Sequence, residues 1–472
     1  MSWIVKDDIP PKPAPQVAPE TANEVAPEVA MKKSIIALNY AAMAQHGIIL
    51  LLVGPMVPSL MRTFAIGESI TGLLLGMGSL GFVAGPLFAG AIIDRINARA
   101  ALVAGLVIEV GVLVLFGLAP AFVVAIAANF GMHFGSSFVE TSANVLPTLA
   151  TNGRKPHAVM NLVHMFFSVG AFIGPLLIGI YIESTGAWRP IPLFAVIPTG
   201  ILLTWALFVR FPKKSAGEQP ASTSPEVRRR GRGPNAARST ARQLSALGRL
   251  LLVLKRRYVL LGSISLLLYV GAEVGVSSWV VYYLERRLLL SPAMASGGLS
   301  ILWVCIMIGR YANSRLGERL SSRLLVAVSG FAGAVGVVAF LFAESVASAY
   351  LCLGWIGLCL SGVFPNIMGE LNAGDPERAG TITAVMAMGA ALGAGLFQWF
   401  VGFLAENAGL TAAFVVPAVL QILLVVTFLP AVRDRDRRFT AASEGPQPPQ
   451  MPGPHGPGDA DGQDNTSQKR EE

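Results

Sequence analysis

Apolar runs recur along most of this chain, and many approach the roughly 20 residues that a helix needs to cross a bilayer. One or two such helices can hide in a soluble core, but a dozen cannot. Between residues 35 and 431 we count twelve: 35–62, 70–93, 99–119, 121–150, 157–182, 190–210, 257–285, 293–313, 323–343, 345–371, 378–404 and 409–431. A mean hydropathy of +0.59 and only 14% charged residues agree with this count. Inside a bilayer every backbone polar group must be satisfied internally, so long apolar runs imply helices. The expected fold is an all-α polytopic membrane protein, twelve transmembrane helices in two six-helix halves.

The net charge of +8 can suggest a nucleic-acid partner. Its placement argues for a membrane instead. Arginines gather in short turns and in one long loop, where Arg228, Arg229, Arg230, Arg232, Arg238 and Arg242 fall. One set of connectors (DRINAR, NGRKPH, the long loop, NSRLGERLSSR, GDPER, RDRDRR) is far more basic than the other, so the positive-inside rule makes it cytoplasmic, together with both termini. No nucleic-acid partner is expected, and the partners are the lipid bilayer and a small solute. A monomer in the cell (inner) membrane is expected. Cys305, Cys352 and Cys359 sit in apolar runs without ligand spacing, and read as small buried hydrophobes.

The chain divides into a Pro/Ala/Glu-rich tail (1–33), a first bundle (34–210), a basic linker (211–256), a second bundle (257–431) and a charged, Pro/Gly-rich tail (432–472), the tails expected to be disordered. The linker ends in ARQLSALGRLLLVLKRR, an amphipathic stretch suited to the membrane surface. A gap-free shift of 219 residues lays Gly78, Gly90, Gly111, Gly117, Gly135, Gly170 and Gly174 on Gly297, Gly309, Gly330, Gly336, Gly354, Gly389 and Gly393. Chance predicts roughly two such coincidences, so the halves are a repeat. An even number of helices per repeat inserts both halves the same way up. The pseudo-two-fold axis then lies along the membrane normal, with a solute site between the halves near mid-depth.

Charged and polar residues within spans are costly and usually face a cavity. Glu140 lies about eleven residues, roughly 16 Å, from the cytoplasmic end of span four, near the middle of the hydrocarbon core. A carboxyl taken out of water favours its protonated form and can release the proton when water arrives, which is the physics of a proton-coupling site. Asn144 shares its face one turn on, either to bond a solute hydroxyl or to hold Glu140. Asn161, His164 and Ser168 form a stripe on span five. Glu273 is a second mid-span carboxylate, for coupling or for structure. Glu109, without a companion motif, is taken as structural. Asn366 and Gln398 are candidate hydroxyl partners, and Trp279 and Tyr283 candidate stacking faces. No HExxH pattern, Cys/His cluster or catalytic pairing is found, so no enzyme, metal or cofactor is expected.

GAIIDRINAR, with Gly90, Asp94 and Arg95, resembles the cytoplasmic signature of the major facilitator superfamily, and GRYANSRL, with Gly309 and Arg310, looks like its mate. These residues are expected at a cytoplasmic gate. The finer resemblance is to the fucose and glucose/galactose permease branch of proton–sugar symporters. It rests on Glu140-Thr-Ser-Ala-Asn144, on Asn161-Leu-Val-His164 with FFSVGAFIGPLL, on YVGAEVGVSSW (Tyr269 to Trp279) and on Phe364-Pro-Asn366. It implies proton-coupled sugar uptake by alternating access, with Glu140 and Glu273 in coupling and Asn144, Asn161, His164, Asn366, Gln398, Trp279 and Tyr283 at the solute. Two positions depart from that branch: Gly54 stands in place of an acidic residue in helix one, and His164 in place of Gln. Two other functions fit the same fold: a proton-coupled exporter of amphipathic compounds, and a non-transporting solute sensor.

Overall fold

A computed structural model describes residues 22–150, 156–209, 211, 253–317, 319–373, 375 and 378–443. Its described residues form helices and turns, and twelve helical segments are long and apolar enough to cross a membrane. Numbered in chain order, the spans are Lys33–Phe64, Glu68–Arg95, Ala98–Gly117, Phe122–Leu146, Leu162–Thr185 and Pro190–Phe208, then Arg257–Arg287, Pro292–Leu316, Ser322–Leu341, Val346–Asn372, Ala379–Ala408 and Leu410–Arg437. Helix extends past the expected tail boundaries at both ends. It runs from Ala22 into span one, and span twelve continues to Ser443. Ala, Glu and Lys make up much of the first extension and Arg and Ala half of the second, and these are good helix formers. The rest of both tails and the amphipathic linker stretch before Val253 lie outside the described residues.

Packing repeats between the halves. Span two lies on four, one on five, three on four and three on six; their mates eight on ten, seven on eleven, nine on ten and nine on twelve do the same. All of the repeated glycines except Gly90 and Gly111 serve this packing. A Cβ at Gly170 would fall on the backbone of Ala44 in span one, and one at Gly389 on the backbone of Ser263 in span seven. Only a residue without a side chain lets two helix backbones approach so closely.

Two spans are broken. The first is interrupted at Leu51–Leu52 and the tenth at Ser361–Gly362. A proline follows four residues after each break, Pro55 after Leu51 and Pro365 after Ser361. Proline has no N–H to give the carbonyl four residues back, and its ring crowds that carbonyl. The first break sets Gly54 against the backbone of Ser277 and Ser278 in the opposite half.

Between the halves, span two packs on eleven and span five on eight. This pair of contacts is related by the repeat, since two corresponds to eight and five to eleven. The two ends of the bundle differ. On the side away from the long linker, Glu183 at the end of span five accepts from the Ser291 hydroxyl (2.7 Å) and the Ala293 N–H (2.9 Å) at the start of span eight. Glu406 at the end of span eleven accepts from the Ser69 N–H (2.8 Å) at the start of span two. Each half thus caps a helix N-terminus of the other with a carboxylate, which satisfies orphan donors and faces the positive end of the helix dipole. Tyr282 adds a bond to Glu68 there. On the linker side, the Arg435–Glu370 (2.9 Å) and Arg256–Asp375 ion pairs each stay within the second half.

Candidate functional site

The seam between spans five and eight carries a line of polar and aromatic contacts between the halves. From the far end inwards, Gly179 packs on Ser296, the Ser300 hydroxyl donates to the Phe172 carbonyl (2.7 Å), and Trp303 meets Phe167 edge-on at 5.5 Å. Arg310 then donates to the Ser168 hydroxyl at 3.3 Å. The Arg310 charge lies within electrostatic range of His164, and of Tyr269 and Glu273 in span seven. A guanidinium, an imidazole, a hydroxyl, a phenol and a carboxyl thus gather where the two halves meet.

Arg310 was expected at a gate, and its side chain reaches Ser168 of the other half. Helical side chains lean towards the helix N-terminus. For span eight that direction leads away from the linker side and into the seam. The repeat also held a sign of this: 310 − 219 = 91, so Arg310 lies opposite Ala91 and has no counterpart in the first signature. Gly90, Asp94 and Arg95 lie at the linker end of span two, with Asp94 and Arg95 exposed, and Gly309 is buried in span eight.

Glu140 is half-buried in span four and makes no hydrogen bond among the described residues, and Asn144 one turn on is exposed. His164 is half-buried, and its carbonyl accepts from the Ser168 hydroxyl (3.4 Å). The side chain of Asn161 lies outside the described residues. Asn366 is half-buried in the short helix after the span-ten break. Glu273 is 9% exposed, and its Oε1 has no hydrogen-bond partner.

Three expected solute contacts are packed away. The Gln398 amide bridges Ser79 of span two (3.0 Å) and Ser278 of span seven (2.7 Å), so it clasps the two halves. Trp279 is fully buried and donates to the Gln398 carbonyl at 3.0 Å. Tyr283 lies between Phe340 and Phe414 in the core of the second half. The polar tips of Gln398 and Trp279 are used by neighbouring helices, and none of the three is open to a solute in this conformation.

One cluster was missed. In span one, Gln45 donates to Glu109 Oε2 (2.9 Å) and to the Thr199 hydroxyl (2.9 Å), joining spans one, three and six. The next residue, His46, bonds the Ser136 hydroxyl at 2.7 Å and lies beside Phe82 and Phe167. Glu109 therefore has a structural partner. The signal was the pair Gln45-His46 in the middle of an apolar run.

Two stacked six-helix repeats around a polar seam define a membrane transporter fold. The family model of the Major Facilitator Superfamily matches residues 40–398, and the chain belongs to that superfamily. A glucose/galactose transporter of Brucella abortus is 22% identical over 351 residues, covering 70% of this chain and 78% of that protein. Among solved structures, a nucleoside transporter superposes with a TM-score of 0.69 at 13% identity, covering 85% of this chain and 99% of that one. The E. coli fucose:proton symporter gives 0.55 at 17% identity, covering 84% and 98%. The chain is thus a transporter by family, with sugar transporters among its sequence relatives.

Proposed function

We propose that this protein imports a sugar or similar polyhydroxylated solute together with protons, by alternating access. The observation that carries the coupling is Glu140: a half-buried carboxyl within span four, without a hydrogen-bond partner among the described residues. A carboxyl with no structural partner at that depth is free to exchange its proton with water entering a cavity. The basic connectors put the linker side in the cytoplasm. The carboxylate caps then close the external side, and the molecule faces inward. The sugar-transporter relative supports the solute class.

In this reading Glu140 carries the proton, and Glu273, His164, Ser168, Asn144 and Asn366 contribute to the site. Gln398 opens and closes with the external seam. The test is Glu140→Gln in proteoliposomes. Accumulation driven by a pH gradient should collapse, while exchange of labelled for unlabelled solute survives. Accumulation that persists in this variant would remove Glu140 from the coupling step.

A further inference from the structure

We infer that the transported solute carries a carboxylate, received by Arg310, so that its class is a sugar acid and not a neutral sugar. This rests on the transport reading above.

Arg310 is a cation whose donors are largely unfilled. Arg310 is half-buried in the seam and forms no ion pair among the described residues. Its described partner is the neutral Ser168 hydroxyl at 3.3 Å. Guanidinium has five N–H donors in a planar fork and no acceptor, and it does not lose its charge. Such a group in the membrane interior is costly unless paired, and a carboxylate meets its fork with two parallel bonds. Glu273 lies within range of its field but at no ion-pair distance. It offsets part of the charge without occupying the donors.

A second observation points the same way. Trp303 lies two turns from Arg310 on span eight and is 5% exposed. Its Nε1–H has no partner. Indole nitrogen is a donor only, and a buried donor left unpaired is expensive. The span-eight wall of the site therefore presents donors in excess, which suits a ligand rich in acceptors. Glu273 Oε1, unpaired in span seven, and the His164 ring provide acceptor capacity for hydroxyls. One end of the ligand is then anionic and the rest hydroxylated. A phosphate monoester brings close to two charges against one arginine, with Glu273 nearby, so a carboxylate fits the charge count better.

The experiment measures binding to the purified full-length protein by titration calorimetry at fixed pH and salt. The ligands are glucose and galactose, their aldonic and uronic acids, and their 6-phosphates. At least one acid should bind about tenfold or more tighter than its parent sugar. Arg310→Gln should erase that preference, so that each acid and its parent sugar bind within about twofold of one another, and Arg310→Lys, which keeps the charge without the fork, should fall between. The wild-type series decides the matter even if the variants fold poorly. Neutral sugars binding as tightly as the acids, preference for the phosphates, or acid affinity unchanged in Arg310→Gln would each overturn the inference and leave sugar transport standing. If no member of the series binds the wild-type protein, the inference and the proposed solute class fall together.

Discussion

Closure of the external seam depends on helix backbones meeting without side chains between them, and Gly76 tests this. An added Cβ at Gly76 would stand 2.6 Å from the Gly395 carbonyl oxygen in span eleven, against ordinary contact from 3.4 Å. Spans two and eleven must then part by about 0.8 Å, or the side chain must strain, and overpacking of this kind costs about 1–3 kcal/mol. In the proposed alternating-access cycle the cost falls on the closed state alone, because the other state separates these spans. A middle value of about 2 kcal/mol shifts the balance towards the externally open state by roughly 30-fold. The assay is Gly76→Val with Ser79→Cys as reporter, after replacing Cys305, Cys352 and Cys359. Ser79 is 7% exposed and bonded to Gln398. Its cysteine should react with an impermeant maleimide added outside much faster in the valine variant. Gly111→Val serves as control, since a Cβ there meets nothing within 4 Å. Unchanged labelling in Gly76→Val would refute the seam.

His164→Gln keeps a donor and an acceptor beside Ser168 and should preserve solute binding while altering the pH dependence of transport. His164→Leu should weaken binding sharply, and an unchanged affinity and pH profile in that variant would place the imidazole outside the site. Glu109→Leu takes an acceptor from the Gln45 amide in a fully buried position, and should cost about 1–3 kcal/mol of stability. Glu109→Gln retains an oxygen there and should lose less; thermal unfolding in detergent compares the two, and equal losses would contradict the Gln45 bond.

The twelve spans and the two halves were legible because apolar runs of bilayer length and repeated glycines are properties of the chain itself. The roles of the polar residues were legible only in part. A polar residue within an apolar run announces a buried contact, but the sequence does not say whether the partner is solute or helix. Gln398 and Trp279 turned out to bond each other and the seam, whereas Glu140 has no such partner among the described residues. Arg310 was read from a motif at the end of a helix, which does not show where its side chain reaches. The direction of its side chain along that helix carries it into the seam. Glu109 lacked an explanation until folding brought Gln45, distant in sequence, against it.

The central claim is solute uptake driven by protons through a site between two rocking halves. Wild-type protein in liposomes, with labelled galactose or galactonate outside and an inside-alkaline pH gradient imposed, tests it most directly. The account predicts accumulation above the external concentration that vanishes when a protonophore collapses the gradient. Uptake that only equilibrates, with the same rate whether or not the gradient is present, would contradict it.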